Sequence, residues 1–236
     1  MPGRWVMLGR EHALSGAVAG AAVGELVLRL PVSGTLALAG LTAAFATLPD
    51  LDTRGSCAAR SLGFLSEGFA WCVEKLSGGH RHGTHSLLGV AIFTCYAALA
   101  ALFGAHPWDS LWWADAALVL LAGFLALAIA AGLRAFRVHG HAADIVALGA
   151  AFAAAATGWH MILIPLACGL GCAVHLLGDM LTVSGCPLAW PVTLRCCGLP
   201  RPLSFVTGTW RETWTVLPAL LAALCWLGWF GLAGAR

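Results

Sequence analysis

Ile162-Leu-Ile-Pro-Leu-Ala-Cys-Gly-Leu-Gly-Cys-Ala-Val-His175-Leu-Leu-Gly-Asp179-Met-Leu-Thr182 is apolar at nearly every position, yet it carries an imidazole and a carboxylate one helical turn apart. A helix of about 20 such residues matches the hydrocarbon core of a bilayer. His175 and Asp179 stand at i and i+4, so they share one helix face. An ionisable side chain at membrane depth costs about 2.5–3.5 kcal/mol on insertion scales, and its default reading is a site or a pathway. The spacing alone fits a hydrogen-bonded helix pair equally well. The rest of the chain separates the two readings.

The same apolarity runs from end to end. Hydrophobic residues make up 60% and charged residues 10%, with a mean hydropathy of +0.84, whereas a soluble domain carries about 25% charged residues. The composition therefore predicts an all-α, polytopic transmembrane bundle forming a single integral membrane domain over residues 1–236. Seven apolar segments are candidate spans, at roughly 12–30, 34–49, 85–104, 111–133, 141–158, 160–182 and 214–233. The second is short and the fifth alanine-rich, so the expected count is six to seven. Residues 53–80 interleave Leu62, Phe64, Leu65, Phe69, Trp71, Val73 and Leu76 with charges, which predicts one amphipathic helix lying in the interface. Residues 183–213 read as a polar cytoplasmic loop.

Charge placement orients the bundle. An inside N-terminus puts Arg4, Arg10, Arg54, Arg60, Lys75, Arg81, Arg134, Arg137, Arg195, Arg201 and Arg211 on the cytoplasmic side and leaves only Arg29 and Arg236 opposite. Arg4 and Arg10 precede an apolar stretch with no clear cleavage site, so that stretch is expected to be a retained span. The net charge of +2 and the lack of basic runs exclude a nucleic-acid partner. Cys95, Cys168, Cys172 and Cys225 lie in apolar runs and read as reduced, structural thiols, and no Cys-x-x-Cys occurs.

Two further polar clusters accompany His175 and Asp179: Leu48-Pro49-Asp50-Leu51-Asp52 and Gly79-His80-Arg81-His82-Gly83-Thr84-His85-Ser86. Carboxylate and imidazole are the ligand types that hold zinc or a similar divalent ion. All three clusters fall at the cytoplasmic ends of their spans, as does His12. The candidate metal ligands are thus His12, Asp50, Asp52, His80, His85, His175 and Asp179. Asp50 or Asp179 would bridge ions or act as general base, Arg81 would pair with a carboxylate or a substrate phosphate, and Glu212 would supply a carboxylate behind the ligands or carry a proton. His82 competes for too little room in its turn to be a favoured ligand. Thr84 and Ser86 suit helix caps. Glu25, His139, His141 and Asp144 are read as interfacial or interhelical groups, and Trp108, Trp112, Trp113, Trp210 and Trp214 as belt residues.

The combination Leu-Pro-Asp-x-Asp, Gly-His-Arg-x-x-Thr-His-Ser and His-x-x-x-Asp-x-x-Thr-x-x-Gly, with Trp190-Pro191 following, resembles the YdjM family of bacterial inner-membrane proteins. Its members are described as metal-dependent hydrolases, some of them under LexA control. The likeness covers the polar skeleton from His12 to Glu212 and implies that Asp50, Asp52, His80, His85, His175 and Asp179 occupy the family's motif positions. A more distant similarity to the all-α zinc-dependent phospholipases C implies a phosphodiester or phosphomonoester substrate. The chain departs from the family pattern at Thr53, where many members carry His, at His82, where Gly is common, and in the inserted 105–158 region.

These readings give a membrane-bound hydrolase with one to three divalent ions, zinc above all, acting on a lipid or lipid-linked phosphoester at the cytoplasmic face. Bound metal lowers the pKa of a coordinated water toward about 7 and so provides a nucleophile at neutral pH. Two other classes use the same residues: a divalent-cation transporter, whose site belongs near the midplane with repeat symmetry, and a structural protein stapled by its metal.

Overall fold

The computed structural model describes residues 9–104, 112–138, 140–156, 162–200, 204–206, 209 and 212–234. Eight α-helices account for most of them: α1 (Gly9–Ala22), α2 (Val32–Phe45), α3 (Phe64–Leu76), α4 (Leu87–Gly104), α5 (Trp112–Ala135), α6 (His141–Ala156), α7 (Leu163–Met180) and α8 (Leu217–Gly234). A π-helical turn, Val23–Val27, prolongs α1, and another, Glu212–Val216, leads into α8. Among the described residues the only β-structure is a pair of isolated bridges, Thr182 with Phe205 and Cys186 with Cys197.

Among the described residues, four helical stretches are long and apolar enough to cross a membrane: Val32–Asp52, Ala116–Ala135, Leu163–Met180 and Trp214–Gly231. Leu87–Phe103 and His141–Ala154 are apolar but shorter. Each of the seven apolar segments read from the sequence contains a helix. The amphipathic segment differs from expectation, because only its second half is helical. Ser56 Oγ accepts from Ala59 N (3.0 Å), and Ser61 Oγ donates to Ala58 O (2.8 Å). Such local side-chain bonds hold the backbone in turns, and α3 begins only after Gly63, whose φ is +61°.

The bundle is built on backbone contact between α1, α2 and α7. Gly16 faces Thr42 and Ala46, and Gly20 faces Leu38 and Ala39, so α1 and α2 run antiparallel. A Cβ on Gly20 would fall 2.8 Å from Ala39 Cα, and one on Gly171 would fall 2.7 Å from Thr42 O and 2.8 Å from Ala46 N. Small residues at such contacts let helices approach closely where lipid provides no hydrophobic drive to association. Around this trio, α4 meets α7 at Thr94 and Gly169, and α5 meets α2 at Gly132 and Ala44. Leu38, Phe45, Phe93, Phe124, Leu125, Ile164, Cys168 and Cys172 fill the space between. Helix α8 is peripheral: only 6% of Trp214–Gly231 is buried, and Leu227 anchors it against Ala21 and Ala39.

The helix directions have one consequence for function. The start of α1, the ends of α2 and α7 and the start of α4 all lie at the same end of the bundle. That end holds the polar clusters.

Candidate metal centre

Each functional side chain is delivered by a local feature of the sequence. His12 sits in the first turn of α1. At the end of α2, Pro49 has no N–H to return to Phe45 O, so the α-helix gives way to the 3-10 turn Leu48–Asp52, which carries Asp50 and Asp52. The freed carbonyls find partners on α7: Phe45 O accepts from Cys172 Sγ (3.8 Å) and Ala46 O from His175 Nδ1 (2.8 Å). Gly78 and Gly79, with φ of +82° and +114°, turn the chain out of α3. The 3-10 turn Gly83–His85 then places His85 just ahead of α4.

His12, His85, His175 and Asp179 are fully buried, and Asp50 is nearly so. Their donor atoms converge. His85 Nε2 lies 3.2 Å from His175 Nε2, 3.5 Å from Asp179 Oδ2 and 3.7 Å from Asp50 Oδ1. His175 Nε2 lies 3.8 Å from Asp179 Oδ2 and 3.9 Å from Asp50 Oδ1. His12 stacks on His175 with ring centroids 3.7 Å apart, and its Nε2 is 3.7 Å from Asp179 Oδ1. Nitrogen and oxygen ligands about 2.0–2.1 Å from a tetrahedral zinc stand about 3.3–3.4 Å from one another. The observed separations are of that size. Moreover, both ring nitrogens of His12 and Oδ1 of Asp50 are buried without a hydrogen-bond partner among the described residues. Buried polar atoms are ordinarily paired, so these orphans fit a ligand shell for a cation.

Hydrogen bonds fix which nitrogen His175 and His85 present. His175 Nδ1 faces a carbonyl and must therefore carry the proton, leaving Nε2 aimed at the cluster. Thr84 Oγ1 gives its single proton to Asp52 Oδ2 at 2.5 Å, so toward His85 Nδ1 (3.0 Å) it can only accept. His85 likewise presents Nε2. Carbonyl or carboxylate partners on the remote nitrogen are the usual companions of metal-ligating imidazoles.

Without an ion, two Nε2 lone pairs at 3.2 Å would repel, and a proton between them relieves the contact.

The remaining sequence candidates are distributed around this core. Arg81, at a φ of +59°, donates from Nη2 to Asp179 Oδ1 (2.8 Å) and from Nη1 to Gly185 O (3.3 Å). Asp52 and His80 lie beyond His85, with His80 Nδ1 2.9 Å from Asp52 Oδ1. His82 turns away and donates to Gly78 O (2.6 Å). Ser86 caps α4 by accepting from Gly89 N (3.1 Å), whereas Thr84 serves Asp52 instead of a helix end. Asp144 pairs with Arg134 (2.8 Å), and His141 is exposed at the start of α6. His139 and the side chain of Glu212 lie outside the described residues. Three participants were not expected from the sequence: Ala46 O, Thr53 and Cys186, whose Sγ is 3.9 Å from Asp179 Oδ2. Of these only Ala46 has a signal in the sequence, the proline three residues on.

The profile of the YdjM inner membrane protein family matches residues 7–235. No curated protein and no solved structure matches the chain.

Proposed function

We propose that this chain, which belongs to the YdjM inner membrane protein family, is a membrane-embedded metal-dependent hydrolase with one divalent ion held by His85, His175, Asp50 and Asp179 and faced by His12. The observation that carries this reading is the convergence of buried donor atoms of Asp50, His85, His175 and Asp179, with Asp50 Oδ1 and the facing His12 nitrogens unpartnered among the described residues. Zinc suits a set of imidazoles and carboxylates at these separations. His175 has a single free nitrogen and appears in two possible ligand groups, His12–His175–Asp179 and Asp50–His85–His175, so the two groups share one ion.

A bound ion of this kind supplies Lewis acidity and acidifies its coordinated water. The chain's own residues do the rest. His12 Nε2, next to Asp179 and otherwise unpartnered, accepts a proton from the nucleophile. Arg81 anchors Asp179 and turns its remaining donors toward a phosphoryl oxygen; its buried Nε has no partner among the described residues. Water access is narrow, because Asp50 and Arg81 are only 13% and 12% exposed.

The substrate reading is a lipid or lipid-linked phosphoester. It is supported by a centre at one end of a bundle that exposes apolar side chains such as Leu36, Val119, Ile145 and Trp229, and by α3, whose exposed Phe64, Leu65 and Leu76 suit the interfacial layer. Arg54, Arg60, Lys75, Arg81, Arg134 and Arg137 gather at that end, which supports a cytoplasmic face and a count of six to seven spans.

Zinc-loaded protein in detergent is expected to release phosphate or a phosphorylated headgroup from a panel of phospholipids and polyprenyl phosphates. Asp50→Asn should lose at least 100-fold, in line with removal of a group that acts at the reacting centre. Turnover of soluble esters or amides alone would overturn the lipid reading. Zinc uptake into sealed vesicles that Asp50→Asn abolishes, with no hydrolysis, would favour transport.

A further inference from the structure

Asp50 and Asp52 lie two residues apart in one 3-10 turn, yet their carboxylates have opposite surroundings. Asp50 Oδ1 is buried without a hydrogen-bond partner among the described residues. Asp52, 1% exposed, is saturated by donors of the chain. Its Oδ1 accepts from Thr53 Oγ1 (3.1 Å) and His80 Nδ1 (2.9 Å). Its Oδ2 accepts from Arg81 N (3.0 Å) and Thr84 Oγ1 (2.5 Å) and lies 3.3 Å from His85 Nδ1. A carboxylate offers about four lone-pair directions, and five donors already compete for them. An ion on Asp52 would have to displace several of these bonds. By contrast, Asp50 and His12 would lose none.

We propose that Asp52 is a positioning residue rather than a ligand: it locks His85 as the Nδ1–H tautomer with Nε2 toward the ion, and His80, on its far side, binds no ion of its own. The inference rests on the metal-centre reading above and specifies which members of the seven-residue cluster take the metal. Three observations converge on it. The hydroxyl of Thr84 spends its only proton on Asp52 and so requires a proton on His85 Nδ1. The backbone N–H of Arg81 holds Oδ2 in place from a residue whose positive φ fixes the turn. His80 approaches the carboxylate with Nδ1 and leaves a side chain 34% exposed, facing outward rather than into the buried core. A carboxylate that accepts from a ligating imidazole raises its basicity and fixes its ring, and its loss typically weakens metal binding 10–100-fold.

The test is zinc stoichiometry and affinity, by competition with a chromophoric chelator, on full-length protein purified in detergent. Wild type should bind one ion per chain. Asp52→Asn keeps the size and the acceptor oxygen but loses the charge, and should still bind one ion, with affinity reduced about 10–100-fold. His80→Ala should bind one ion with affinity within about threefold of wild type, since His80 turns Nδ1 to Asp52 and meets His85 only edge to face, with ring centroids 5.3 Å apart. Two ions in wild type, with one lost in either variant, would make Asp52 and His80 ligands and overturn the proposal. Unchanged affinity in Asp52→Asn would overturn it as well, by removing the positioning role. Should Asp52→Asn fail to fold, His80→Ala, at an exposed side chain, still decides between one ion and two. A wild type that binds no zinc contradicts the metal centre itself, an outcome distinct from either of these.

Discussion

Asp179→Ala is expected to take zinc from one ion per chain to none and to destabilise the bundle in the same step. Oδ2 of Asp179 faces His85 and His175 at 3.5 and 3.8 Å, so its removal opens one side of the ligand shell. Oδ1 accepts from Arg81 Nη2 at 2.8 Å. Without it the guanidinium, 12% exposed, keeps only Gly185 O among the described residues. Breaking a buried charge pair by deleting one partner costs about 3–5 kcal/mol, because the other charge stays behind uncompensated. Asp179→Asn separates the two effects: it keeps an acceptor for Arg81 and most of the stability, but it lacks the anionic ligand. Metal analysis beside thermal melting of both variants reads them independently. Full zinc content in Asp179→Ala would remove Asp179 from the shell.

Gly171→Leu is expected to abolish the folded bundle, and the centre with it. At Gly171 a Cβ alone would lie 2.7 Å from Thr42 O, 2.8 Å from Ala46 N and 2.9 Å from Phe45 Cβ. Two of these are backbone atoms of α2, which cannot rotate aside. Overpacking of a flexible core costs about 1–3 kcal/mol, and a clash against backbone exceeds that range because whole helices must part. Since the 3-10 turn that follows α2 carries Asp50 and α7 carries His175 four residues beyond Gly171, separation of the two helices pulls the ligands apart. Gly123→Leu is the control, as nothing lies within 4 Å of a Cβ there. Monodisperse, zinc-loaded protein from the Gly171 variant would show that α2 and α7 tolerate a wider spacing.

The contrast between these two glycines shows where sequence reasoning stops. The apolar periodicity of Leu163–Met180 and its neighbours marks the helices within a few residues, because about 20 apolar positions have little alternative in a bilayer. It says nothing of which glycine touches a backbone, since Gly123 and Gly171 sit in equally apolar surroundings. The 53–80 segment was legible as amphipathic but not as half turn and half helix, since Ser56 and Ser61 compete with the backbone only through their particular side-chain bonds. At the site, residue type named His12, Asp50, Asp52, His80, Arg81, His85, His175 and Asp179, and the fold brings all of them into one neighbourhood. The difference between Asp50 and Asp52 was invisible, because both are carboxylates in a single Leu-Pro-Asp-Leu-Asp motif. It emerges from the five donors that crowd one and leave an oxygen of the other bare. The role of Ala46 is a main-chain carbonyl released by Pro49, which no pattern of side chains displays.

Zinc content per chain, determined on detergent-purified wild type and His175→Ala after identical reloading, bears most directly on the metal centre. One ion per chain in wild type and none in a folded His175→Ala is the expected result. Wild type that takes up no zinc, or a His175→Ala variant that keeps its ion, would contradict a centre built on His175, His85, Asp50 and Asp179.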